Sequence, residues 1–178
     1  MNTDVLNLLT NVADGDMDAL GGLYDMLSVR IFSYARVITK NKEAAEDITH
    51  DVFMLIVKQS ARLAKMSNPI AYIMVAVRNQ SYDHVKRGNR TTVLDEAAEI
   101  GVGFPSYDHL LIEEALLSLP VNQKETIYLH RVCGFTQKEV AKIMGVPLVT
   151  VKWRCGRAMS ALLAYFNQEK EESLNGTI

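Results

Sequence analysis

The feature that most restricts this chain is a helical period that runs almost without a break. Leu20, Leu23, Tyr24, Leu27, Ile31, Tyr34, Ala35 and Ile38 recur at i, i+3, i+4 and i+7 spacing over about five turns. Such spacing gathers apolar groups on one side of a helix and cannot line one face of a strand. A second helix is predicted over roughly residues 43–65, with Ile48, Val52, Leu55 and Ile56 on one stripe. A third starts where Asn68 can cap and Pro69 takes the first helical position, where its missing N–H costs nothing; it runs to about Arg87 and stops in KRGNR. No strand pattern competes. Aromatic residues are only 7% of the chain, and Leu, Ala, Val, Met and Ile supply most of the apolar mass. The expected fold class is all-α.

At 48% hydrophobic and 22% charged, the chain can bury cores of its own. Its 178 residues suit one domain or two small ones. Charge decides between these. Residues 1–90 carry 11 Lys/Arg against 10 Asp/Glu, and residues 91–119 carry six acids and no Lys or Arg. Residues 120–166 then carry seven bases against two acids, although the net charge of the whole chain is -2. A helical domain over 1–90, an acidic linker at 91–109 containing GVGFPS, a second helical domain over 110–168 and an acidic tail at 169–178 account for this. The linker is alternatively a solvated loop inside one domain.

The second half is cut into shorter pieces. Residues 110–118 read as a Leu-rich helix closed by Pro120, and Asn122 with Glu125 and Thr136 with Glu139 are both spaced like capping boxes. After the second box, Val140, Ile143 and Met144 share a face, and Gly145, Val146 and Pro147 make a turn before a last helix to about Phe166. A short capped helix, a tight turn and a longer basic helix form a helix-turn-helix pattern.

That last helix opens with VPLVTVKWRCGR, which is basic and free of acids. On a helical wheel Val151, Cys155, Ala158 and Leu162 form the buried stripe. Trp153 then points away from the core beside Val149, Gly156 and Arg157, with Lys152 and Arg154 on the flanks. Positive charge around an outward Trp suits a polyanion, and a helix fits the DNA major groove. Arg154 and Arg157 are assigned to base edges or phosphates and Lys152 to a phosphate; Val149 and Trp153 lie against thymine methyls or sugars. Alternatively the Trp packs on a partner protein or on the other domain.

In the first half, RNQSYDHVKRGNR at residues 78–90 interleaves four bases with Tyr82 and His84, and Tyr72 lies upstream. Rings that stack on bases, among cations that track the backbone, suit single-stranded nucleic acid. Basic helix ends also complement the helix dipole. The stretch EDITHDVFMLIV places Glu46, Asp47 and Asp51 on the flank of an amphipathic helix that also shows Phe53, either solvated or docked on a protein. No phosphate loop, H-E-x-x-H or G-x-S-x-G pattern occurs, so no enzyme chemistry and no cofactor are expected. His130 and Cys133 give an H-x-x-C spacing, but the one further cysteine, Cys155, is distant, and no metal is expected. Two cysteines, no basic-then-apolar start in MNTDVLNLLT and no apolar run near the roughly 20 residues needed for a bilayer point to a cytoplasmic protein without membrane insertion.

These motifs resemble a known family. GDMDALGGLYDMLSVRIFSYARVITKNKEAAEDITHDVF with NPIAYIMVAVRNQSYDHVKR is similar to region 2 of bacterial RNA polymerase sigma factors of the extracytoplasmic-function (ECF) type. LLSLPVNQKETIYLHRVCGFTQKEVAKIMGVPLVTVKWRCGRAMSALL is similar to region 4. The resemblance covers about residues 16–90 and 110–166, in the family's order. It implies that Asp47, His50, Asp51 and Phe53 dock on the polymerase clamp helices. It also implies that Lys65, Asn68, Tyr72, Arg78, Asn79, Tyr82, Asp83, Lys86, Arg87 and Arg90 lie where the start-proximal promoter element is opened and read. Val149, Thr150, Lys152, Trp153, Arg154 and Arg157 lie on the helix that reads the upstream element. The implied partners are core RNA polymerase, promoter DNA as duplex and as melted single strand, and an anti-sigma factor. His50 stands where the family usually has Gln, and Val57 and Tyr72 stand where Trp is common; Trp153 is unusual on the reader helix. A stand-alone helix-turn-helix regulator, or a sigma-like interaction module that reads no DNA, are the other functions to separate.

Overall fold

A computed structural model describes residues 2–88, 115–116 and 118–175, with side chains of the last helix as far as Asn167. All regular structure among the described residues is helical. The chain divides into two compact units, Met1–Val102 and Gly103–Ile178. Within the first lie α1 (Asn2–Ala13), α2 (Met17–Thr39), α3 (Lys42–Leu63) and α4 (Pro69–Gly88). Within the second lie α5 (Val121–Ile127), α6 (Gln137–Met144) and α7 (Leu148–Asn175). The acidic linker at 91–109, most of the helix expected at 110–118 and Arg90 lie outside the described residues.

Each of α1–α4 packs against the other three. The stripe predicted on α2 is the centre of this unit, with Leu23, Leu27, Ile31, Tyr34, Ala35 and Ile38 buried; Leu20 is half-buried and Tyr24 exposed. From α3, Ile48, Val52 and Ile56 face it, and from α4, Ile73, Met74 and Val77. The sequence reading had no helix at α1, yet Val5 and Leu9, one turn apart, are fully buried and complete the core.

The links between these helices are capped locally. Asp16 Oδ1 accepts from the backbone N–H of Asp18 at 2.9 Å and of Ala19 at 3.3 Å, and so starts α2. Lys40 ends α2 in the left-handed conformation at φ 57°, and Asn41 Oδ1 then accepts from Ala44 N–H at 2.7 Å to start α3. Asn68 Oδ1 accepts from Ala71 N–H at 3.0 Å with Pro69 behind it, as the sequence predicts.

In the second unit the capping box at Thr136 is complete. Thr136 Oγ1 accepts from Glu139 N–H at 3.3 Å, and Glu139 Oε2 accepts from Thr136 N–H at 2.8 Å. The box expected at Asn122 and Glu125 does not form. The helix starts two residues earlier, after Pro120, whose carbonyl accepts from Gln123 and Lys124 N–H at 2.9 and 3.0 Å. Proline's fixed φ and extended ψ of 142° already turn the chain into the helix, and Glu125, at 0% exposure, lies in the interior instead of reaching back to a cap.

The helix α5 continues as one π-helical turn, Tyr128–Val132, closed by Cys133 N–H donating to Tyr128 O at 2.9 Å. Then α6 buries Val140, Ile143 and Met144, and Gly145 at φ 65° makes the left-handed exit into Pro147 and α7. Val151 and Ala158 of α7 are fully buried, the latter against Leu119 and Ile127. Helix α7 continues past Phe166 to Asn175, through the segment expected as a tail; its Gln, Glu and Lys are good helix formers.

Candidate nucleic-acid interface

Helices α6 and α7, joined through Gly145–Pro147, form the helix-turn-helix expected from the sequence. Burial of Val151 and Ala158 fixes the rotation of α7, with Cys155 and Leu162 half-buried on the same side. The opposite side carries Val149 and Trp153, 71% and 58% exposed. Lys152 and Arg157 are exposed with them, while Thr150 and Arg154 are half-buried on the flanks. Arg157 lies over the indole of Trp153 with its guanidinium carbon 5.9 Å from the ring centroid. The result is a cationic surface with an apolar centre, on the second helix of the helix-turn-helix. Its chemistry suits a polyanion with some apolar edges.

On α4, one helical face carries the second group. Arg78, Asn79, Tyr82, Asp83 and Lys86 line an open concavity of about 420 Å³. The Arg78 guanidinium sits 4.6 Å from the Tyr82 ring centroid. Arg87 Nε donates to Asp83 O at 3.3 Å, which places its head group near the basic end of the helix. Lys65 is exposed and Asn68 half-buried in the short turn that precedes α4. Tyr72 is braced and half-buried: its hydroxyl donates to Gln59 Oε1 at 3.2 Å, and Arg62 lies over its ring at 5.4 Å. One face of that ring is therefore covered by α3.

The third group lies on α3. Asp47, His50 and Asp51 are exposed on one face, continued by Met54 and Val57. Phe53 does not share this face. It is 8% exposed and packs on Tyr24 of α2 with ring centroids 4.9 Å apart, because an aromatic ring gains more from a neighbouring ring than from water. Met54 and Val57 are the apolar groups that the exposed face shows; sequence reasoning named Val57 only as a departure from the family and passed over Met54. Their i, i+3 spacing beside Asp47 and His50 was the signal available.

The Nδ1 of His130 is 2.7 Å from Phe135 O, and Cys133 is buried. Among the described residues no three His, Cys, Asp or Glu side chains gather as a metal site. Likewise, no helix among them is long and apolar enough to cross a membrane.

Comparison with known proteins covers both halves. Residues 23–91 match the family described as Sigma-70 region 2, and residues 109–162 match Sigma-70, region 4; together these are more than half of the chain. The ECF RNA polymerase sigma factor SigK of Mycobacterium sp. (strain KMS) is 24% identical over 166 residues, 86% of either chain. Among solved structures, the sigma factor RpoE of Bartonella quintana, determined with the anti-sigma factor NepR, superposes with a TM-score of 0.70 at 24% identity, over 83% of this chain and 96% of that one. CnrH, determined with the cytosolic domain of CnrY, gives a TM-score of 0.65 at 21% identity, over 93% and 98%. At such identities the two structures speak for the fold.

Proposed function

The chain belongs to the sigma-70 family, within its extracytoplasmic-function (ECF) group, and from that membership we propose how its two helical units divide the work of starting transcription. It binds core RNA polymerase, directs it to a particular set of promoters and contributes to opening them. In this division residues 1–90 serve as region 2 and residues 110–168 as region 4, on either side of the acidic linker. The exposed face of α3, with Asp47, His50, Asp51, Met54 and Val57, is the polymerase-docking surface. The α4 face from Arg78 to Arg87, with Lys65 and Asn68 before it, meets the start-proximal element, where unpaired bases find cations and the Tyr82 ring. The outer face of α7 enters the major groove of the upstream element, with Arg154, Arg157 and Lys152 on base edges and phosphates.

The observation that carries this reading is the orientation of α7. A protein of net charge -2 exposes Val149, Trp153, Lys152 and Arg157 together on the second helix of a helix-turn-helix. Melting draws on binding energy alone, so the chain itself catalyses no reaction. It acts in the cytoplasm with polymerase and chromosome, and an anti-sigma factor is its restraining partner. A stand-alone regulator has no use for a first unit that matches region 2.

The test is co-purification with core RNA polymerase, followed by run-off transcription on a promoter library from the source genome. The expected result is a stable complex that starts transcripts at a shared two-part motif. Duplex binding by the free chain, with no association with polymerase, would overturn the proposal in favour of a stand-alone regulator.

A further inference from the structure

Gly156 occupies the middle of α7, three residues after Trp153 and one before Arg157, on the exposed side. After proline, glycine is the least favourable residue for a helix interior. Two other glycines have reasons inside the protein. Gly145 adopts φ 65°, and a Cβ on Gly22 would meet Leu8 at 3.2 Å. Gly156 has neither: its φ is ordinary and, among the described residues outside its own stretch of helix, no atom lies within 4 Å of a Cβ built there. Gly21 of α2 shares this open space, but Gly156 adjoins the exposed cationic face of α7.

The neighbours show what that face offers. Long helical side chains lean toward the N-terminus of their helix. Trp153 therefore leans toward Val149, and Arg157 leans back over Trp153, with its guanidinium carbon 5.9 Å from the ring centroid. Gly156, adjacent to Trp153 at i+3, remains as bare backbone beside an exposed apolar ridge. In the major groove the apolar group on a base edge is the C5 methyl of thymine, and a helix without a Cβ at the contact lets that edge come closer.

We infer that Gly156 is a specificity-determining position: the notch beside Trp153 admits a thymine methyl of the upstream element. This rests on the reading that α7 enters the groove. It adds the identity of one base selected, and the residue that makes room for it.

The experiment uses the full chain bound to core polymerase and the upstream element identified by run-off transcription. Each thymine of the duplex element is replaced in turn by deoxyuridine, which lacks only the methyl group. One replacement is expected to weaken binding about fourfold, the worth of one buried methyl at 25 °C. Gly156→Ala should remove that difference and raise the melting temperature of the free chain. Gly21→Ala serves as control: it lies in α2 with equally open space, so it should raise the melting temperature and leave the uracil effect intact. If no replacement matters, or Gly156→Ala discriminates as the wild type does, while Arg157→Ala still weakens binding, the notch is overturned and the groove reading stands. If neither Arg157→Ala nor any change in the upstream duplex alters binding, both fall together.

Discussion

Cys155 lies on the inward flank of α7, half-buried, with Arg131 and Gln137 close enough to act on its thiol. Burial pushes its pKa above the ordinary thiol value, because a thiolate loses solvation there. The positive charge of Arg131 and a hydrogen bond with Gln137 pull it partly back. A raised pKa means a smaller thiolate fraction at any given pH, and the thiolate is the reactive form. Alkylation of the native chain by iodoacetamide should therefore be slow near neutral pH and climb only above the usual thiol range. Mass spectrometry of the labelled chain from pH 7 to 10 measures this, with Cys133 protected by burial. Labelling of Cys155 at pH 7.5 as fast as a small free thiol would contradict it. Other residues show where sequence pattern stops being enough. The family resemblance groups Phe53 with Asp47 and Asp51, but at 3.6 residues per turn it lies about 200° around the helix from Asp51, and Tyr24 of α2 packs against it. Tyr72 looks from sequence like a ring offered to bases, yet Gln59 and Arg62, a helix away, hold it between α3 and α4.

At the scale of the element, two of the four side-chain caps described were legible, while Asp16 and Asn41 went unread. Asn68 and Thr136 cap their helices in the structure as their spacing predicts. Asn122 with Glu125 satisfies the same spacing and fails, because Pro120 has already set the helix start and the interior takes Glu125. Helix α1 escaped notice because its buried contribution rests on only two positions, Val5 and Leu9. The rotation of α7 was legible because one stripe, Val151 to Leu162, leaves a single solution. The box at Thr136 carries a measurable consequence. Thr136→Ala removes the acceptor for Glu139 N–H and one anchor of the Glu139 carboxylate. It should destabilise the second unit by about 1 kcal/mol, read as a lower denaturation midpoint by circular dichroism. Because α6 supports the packed side of α7, promoter binding should fall at temperatures near the new midpoint and recover on cooling. An unchanged midpoint would mean the box contributes nothing.

For the whole molecule, the decisive property is the order of charge along the chain. Residues 1–90 sum to +1, residues 91–119 to -6, residues 120–166 to +5 and the rest to -2. The six acids are tied by the chain itself to the unit that presents Lys152, Arg154 and Arg157. Two opposite charges about 10 Å apart in water interact by roughly 0.4 kcal/mol before screening, so several acids near a cationic helix reduce its pull on phosphates appreciably at low salt. The expected consequence is that the linker acids weaken non-specific DNA binding by the free chain. Neutralising Asp95, Glu96 and Glu99 as the triple variant Asp95→Asn, Glu96→Gln, Glu99→Gln should raise the affinity of the free chain for random duplex DNA severalfold at about 50 mM salt. The gain should shrink toward nothing near about 300 mM, because the screening length then falls to about 6 Å. Fluorescence anisotropy across that salt range reads it directly. Equal affinity of variant and wild type at low salt would show that the acids do not restrain α7, whereas a gain that persists at high salt would assign their effect to a direct contact. The expected course, a gain confined to low salt, would make the linker a long-range electrostatic brake on the free sigma factor, relieved when polymerase supplies the specific contacts.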